Sequence, residues 1–241
     1  MADDERFGEV DGLPFEVRRS PRRKTLGLTV DRGGELVIHC PDATPRDDLA
    51  AWVQRKLLWV HRKLALKEEM LSRVREPEFV AGERFNYLGR SFRLVMVARQ
   101  KEPLRFDGHR FCLRSDAKDS AAEHFRQWYI AMGKEWIAKR ISLLARKGVA
   151  LPTRVDVRDL GFRWGSCGKN GVVFINWRLM QLPVRLADYV LVHELMHLKH
   201  PSHGPDFWRA VECCLPDWKQ RQEALRAKAQ EIFWCDAKMV Q

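Results

Sequence analysis

The sequence predicts an α+β fold, and three patterns point to it. Short runs of β-formers dominate the first half, and long apolar-periodic helical segments dominate the second. One of those helices carries the string His193-Glu194-Leu195-Met196-His197. No internal repeat or low-complexity linker is visible along the chain.

Residues 15–19, 25–31 and 35–39 alternate or cluster β-formers, and Gly33-Gly34 supplies a tight turn. Thr44-Pro45 reads as a helix start, with the hydroxyl as N-cap and proline at the first helical position. That helix is expected to reach about Glu69 and to bury Leu49, Val53, Leu57, Val60 and Leu64, with Trp52 and Trp59 widening the stripe. After Pro77, strands resume at 84–88 and 92–97, and residues 104–113 form a hairpin around Asp107-Gly108. Residues 117–147 are helical, with Gly148 as the stop. Strands follow at 154–158 and 172–177, then a helix from about Pro183, then helices at 206–214 and 217–233. The expected division is a β-rich region with one inserted helix, 1–114, and a catalytic region, 115–241, together forming one unit.

An α-helix turns once per 3.6 residues, so His193 and His197 stack on one face and can share a metal ion. Glu194, beside the first of them, can take a proton from a coordinated water. The preceding run, Asp188-Tyr189-Val190-Leu191-Val192, is apolar enough to be buried, where unpaired His and Glu groups are rare. His200 would lie roughly 10 Å from His193 along a straight helix, too far to share an ion whose nitrogen ligands stand at about 2.0–2.1 Å. Pro201 also pushes His200 out of the α region. His203 is the first histidine able to swing back after that turn, and Glu212 is the alternative third ligand. The His197-to-His203 spacing equals that of metzincins, but His200 replaces their glycine and no Met-turn follows. Together these features predict a zinc hydrolase, and the element order is that of a zincin-like catalytic domain preceded by a β-rich region.

Arg163-Trp164-Gly165-Ser166-Cys167, Asn176-Trp177-Arg178-Leu179, the helix from Asp188 to Leu198, and His203-Gly204-Pro205-Asp206-Phe207-Trp208 occur in that order. This set resembles the bacterial YgjP-like family of metal-dependent hydrolases, related to the SprT-like and Wss-type zinc proteases. The likeness runs from about residue 15 to about 233 and includes Val17-Arg18-Arg19-Ser20 and the Trp59 helix. It implies a zinc metallopeptidase, with His193, His197 and His203 as the zinc ligands and Glu194 as general base or acid.

Around this centre, residues 173–176 are expected either to offer a free strand edge to an extended peptide or to be a plain sheet strand. Arg163 and Lys169 could meet anionic groups of a substrate, although a structural role suits Arg163 better. Tyr189, one turn before His193, is either an oxyanion donor or a structural phenol. Asp206 is a candidate acceptor for a ligand histidine, Phe207 and Trp208 are anchors for the His203 turn, and Cys167 is a packing thiol or, alternatively, a metal-blocking thiolate.

With 241 residues and 45% hydrophobic content, the chain can bury a substantial core. Its acidic, polar start, Met1 to Arg6, lacks the apolar core of a signal peptide, and no run approaches a membrane span. The six cysteines lack CxxC spacing and read as reduced thiols, which together with the missing signal predicts a cytoplasmic protein. The net charge of +11 includes Arg22-Arg23-Lys24, Arg55-Lys56, Arg62-Lys63 and Lys139-Arg140. Such a field attracts nucleic acid or other polyanions, although it equally suits a plain solvated surface. Two alternatives to a peptidase acting on polypeptide therefore stand: a metal-dependent nucleotide or phosphoester hydrolase, and a nucleic-acid-associated protein whose structural zinc takes Cys167 as fourth ligand.

Overall fold

The protein is mixed α+β; the structure, a computed structural model, describes residues 7–30, 36–72, 77–161, 163–229 and 232. The chain divides into two compact units, Met1–Val74 with Asp236–Gln241, and Arg75–Cys235. The boundary expected at residue 114 falls inside the second unit, because the sheet before it shares one aromatic core with the helix after it.

In the first unit, strands β1 (Phe7–Val10) and β2 (Leu13–Arg19) form a hairpin whose turn, Asp11-Gly12, holds φ of 54° and 72°. Asp and Gly tolerate this left-handed region better than other residues. β2 runs parallel to β4 (Leu36–Cys40), and β3 (Gly27–Val30) pairs antiparallel with β4, giving the order β1-β2-β4-β3. Phe15, Val17, Leu36, Ile38 and Cys40 form a core with Leu49, Val53 and Val60. The Gly33-Gly34 turn lies outside the described residues.

The single helix expected from Thr44 is two: α1 (Arg46–Gln54) and α2 (Leu57–Ser72). Pro45, at φ −61° and ψ 149°, is itself the extended N-cap, and no side chain caps the helix. The break follows a tightened turn in which Lys56 N–H donates three residues back to the Val53 carbonyl at 2.8 Å. Trp52 stays partly buried, but Trp59 is 39% exposed and does not join the buried stripe.

The second unit opens with β5 (Arg84–Tyr87), β6 (Arg90–Val97), β7 (Leu104–Phe106) and β8 (Arg110–Arg114), in the order β5-β6-β8-β7. Strand for strand this is the topology of the first sheet: a hairpin, a parallel central pair, and a closing antiparallel strand. The chain thus repeats a four-stranded unit followed by helix, where the sequence showed no repeat. Apolar alternation is too generic to reveal which strands pair. At the β7–β8 turn, Asp107 Oδ1 accepts the amides of His109 and Arg110, each at 2.9 Å. Helix α3 (Ala121–Ala145) lays Phe125 and Trp128 on this sheet, with Phe125 stacked on Phe85 at 4.1 Å and Trp128 edge-on to Phe111 at 4.9 Å. This aromatic packing joins the elements on either side of residue 114.

A three-stranded sheet follows, β9 (Arg154–Arg158), β10 (Gly165–Cys167) and β11 (Val172–Asn176), in the order β10-β11-β9. Helices α4 (Val184–Met196), α5 (Pro205–Cys214) and α6 (Trp218–Ala229) complete the unit. Among the described residues no helix is long and apolar enough to cross a membrane.

Candidate metal centre

Helix α4 is held in the interior by an unbroken run of buried residues from Leu186 to Val192. Asp188, within that run, is paired by Arg140 of α3 through two 2.6 Å bonds, which meets the need of a buried carboxylate for a partner. His193 and His197 follow on one face, with ring centroids 5.1 Å apart. The helix ends at Met196 and tightens through a bond from Lys199 N–H to the Met196 carbonyl at 3.1 Å. After Pro201 the chain turns back and brings His203 Nε2 to 3.0 Å from His193 Nε2.

The donor atoms of His193, His197 and His203 all lie within 4.8 Å of one another. Nitrogen ligands at about 2.0–2.1 Å from a tetrahedral zinc stand about 3.3 Å apart, so the cluster is of the right size. Its chemistry also fits. The Nδ1–H of His197 donates to the His200 carbonyl at 3.1 Å, which leaves Nε2 as the free lone pair. Burial, with His197 and His203 alongside, pushes His193 down to about 4, so its ring is neutral at neutral pH. Burial lowers His197 as well. Phe207, fully buried in α5, supports all three imidazoles at 4.6–5.0 Å from their centroids. Trp208 stacks on Trp218 at 4.3 Å and faces His203 at 5.8 Å.

Glu194 is 8% exposed, and its carboxyl lies against Gly165 of β10. Burial pushes this carboxyl up to about 7, against the opposing charge of Arg163. The loop that carries Gly165 is fastened by Asn176, whose Nδ2 donates to the Gly161 and Arg163 carbonyls, both at 2.8 Å. Asn176 N–H donates to the Trp164 carbonyl at 2.8 Å, and Asn176 Oδ1 accepts Arg178 N–H at 3.1 Å. Arg178, fully buried over the Trp177 ring, pairs with Asp159 at 3.0 Å. The sequence pattern contained Gly165, Asn176 and Arg178 but gave them no role. The only local signal was a glycine and a cation within apolar surroundings.

Several expected roles fall elsewhere. Residues 173–176 are not a free edge: β11 is the central strand, with β10 on one side and β9 on the other, and β10 is the edge. Three residues are too few for β10 to register as a strand in the sequence. Asp206 meets none of the three clustered histidines; it pairs with Arg209, both exposed, while His200 supplies the acceptor for His197 through its backbone. The side chain of His200 is outside the imidazole cluster, and so is the exposed Glu212. Tyr189 is buried and accepts a bond from Gln222 Nε2 at 3.0 Å. Burial and the nearby Glu194 push the Cys167 thiol up, and it too stands outside the cluster. Lys169 is exposed on the turn between β10 and β11.

A family model described as YgjP-like, metallopeptidase domain, matches residues 24–228. Among solved structures, the metallopeptidase zymogen of Pyrococcus abyssi abylysin is similar at 28% identity, over 37% of this chain and 94% of that chain. The TM-score of that likeness is 0.34, which leaves the overall fold uncompared. No curated protein matches the sequence.

Proposed function

Because the chain belongs to the YgjP-like metallopeptidase family, we propose that it is a zinc-dependent peptidase of zincin-like design, cutting within polypeptide chains. In this reading His193, His197 and His203 hold the ion and Glu194 is the general base and acid. The observation that carries it is the convergence of three imidazole donor atoms, with the buried Glu194 carboxyl on the helix position next to His193.

Bound zinc would supply a Lewis acid that polarises the scissile carbonyl and lowers the pKa of a coordinated water to about 7. A cation beside Glu194 favours its ionised form, so the carboxylate is available to accept a proton from the attacking water. It then delivers that proton to the leaving amine. Among the described residues the cluster has three members, which leaves a position for reacting groups and speaks against a closed structural site. Edge strand β10, which carries Gly165, offers main-chain groups to an extended substrate in place of the central β11.

The test is hydrolysis of a fluorescent unfolded polypeptide by the zinc-loaded chain. Glu194→Gln should retain about one zinc per chain by elemental analysis while losing roughly 10²–10⁴-fold in rate. Nucleotide hydrolysis that disappears in Glu194→Gln, with no polypeptide cleaved under any condition, would overturn the peptidase reading.

A further inference from the structure

The two repeats of the four-stranded unit differ beside the closing edge strand. In the second, the space between edge strand β7 and helix α3 is filled, with Phe106 and Trp128 5.7 Å apart and Tyr87 5.6 Å from Phe106. In the first, the corresponding place beside edge strand β3 is an open groove of about 200 Å³, lined by Leu26, Gly27, Leu28, Trp52, Lys56 and Trp59.

Strand β3 pairs only with β4, and among the described residues no backbone bond reaches its outer edge. An edge that presents both N–H and C=O groups next to an apolar groove is a template for one more strand. The side chains of an added strand would alternate between two environments. Leu28 stands opposite the buried Ile38, so one set enters the groove beside Leu26, Leu28 and the two tryptophans. The other set lies on the face of Gly27 and His39, where the Arg23 guanidinium lies against Gly27. A Cβ on Gly27 would stand 2.6 Å from Arg23 Nη2. Lys56 adds a second cation in the groove itself.

We propose that the outer edge of β3 and this groove form a docking site for an extended polypeptide with apolar residues alternating with acidic ones. The occupant is the substrate chain of the reaction proposed above, and its identity as substrate rests on that reading. A phosphodiester strand fits less well. It offers only acceptors to an edge that also presents carbonyls.

Binding is measured on the full, zinc-loaded Glu194→Gln chain by fluorescence anisotropy, using a labelled peptide that alternates leucine and glutamate. Trp59→Ala, Arg23→Glu, N-methylation of alternate peptide amides, and lysine in place of glutamate should each weaken binding about tenfold. Trp59 is exposed and Arg23 half-buried, and circular dichroism checks that the variants fold. In the active chain, Trp59→Ala should raise KM for a long unfolded polypeptide and leave kcat/KM for a short peptide unchanged. Binding that ignores all four changes overturns the site, as does a single-stranded oligonucleotide that binds through the same residues more tightly than the peptide. Polypeptide cleavage with an unaltered KM in Trp59→Ala overturns the docking site alone. Docking in a chain that cleaves no polypeptide overturns the peptidase reading and with it the occupant's identity as substrate.

Discussion

Gly165 and Glu194 touch so closely that a Cβ on the glycine would stand 2.4 Å from Glu194 Cγ and 2.8 Å from its Oε1. Two groups at that distance cannot coexist, so a side chain on β10 would move the carboxylate. Gly165→Ala is therefore expected to keep the metal and lower kcat by about tenfold or more, since small displacements of a catalytic group are costly. In the Glu194→Gln background the same change should do almost nothing to the residual rate. Equal losses in both backgrounds would show that Gly165 serves the fold and not the carboxylate.

The ligand roles separate by alanine scanning. His200 contributes its carbonyl to His197 Nδ1, so His200→Ala should retain the metal. His203→Ala should weaken zinc binding by more than the roughly 10–100-fold typical of outer partners. Competition with a chelator measures both. Metal lost on His200→Ala and kept on His203→Ala would reverse the assignment.

Asn176 should link stability to activity. Asn176→Ala removes two donors from the Gly161 and Arg163 carbonyls and the acceptor for Arg178 N–H, a loss of roughly 2–3 kcal/mol. Loosening of the loop that positions Gly165 should also slow hydrolysis while zinc stays bound. Urea unfolding and zinc content, measured on one preparation, test this. A stable and fully active Asn176→Ala protein would contradict it.

Stability of the metal-free protein should depend on pH through Glu194. The folded state holds its proton up to about 7 instead of the ordinary 4.5, so this contribution is full below 4.5 and is lost as pH rises through 7. At about 1.4 kcal/mol per unit, the loss is on the order of 3 kcal/mol. Glu194→Gln lacks it, whereas the opposite dependence from His193 is common to both proteins. The stability advantage of Glu194→Gln should therefore widen between pH 4.5 and 7 and level off above. A constant gap in urea midpoints across that range would refute the assignment.

Spacing along one helix is fixed by backbone geometry, so the shared face of His193 and His197 was legible in the sequence. The turn that follows was legible too, because Pro201 ends the helix by its own covalent shape. That His203 returns to within 3.0 Å of His193 follows from this break and from Phe207 docking beneath the imidazoles. Turn chemistry likewise announced the hairpin at Asp107-Gly108, where a short carboxylate captures the amides of His109 and Arg110. Tertiary structure alone decided the rest. Whether residues 173–176 lie at an edge depends on β10, a strand of three residues that exists only because β11 is beside it. The partner of Gly165 is 29 positions away, and those of Asn176 lie on a loop that residue periodicity does not describe. The twofold repeat of strand order was invisible for the same reason: apolar alternation says which face of a strand is buried, whereas long-range pairing chooses its neighbours.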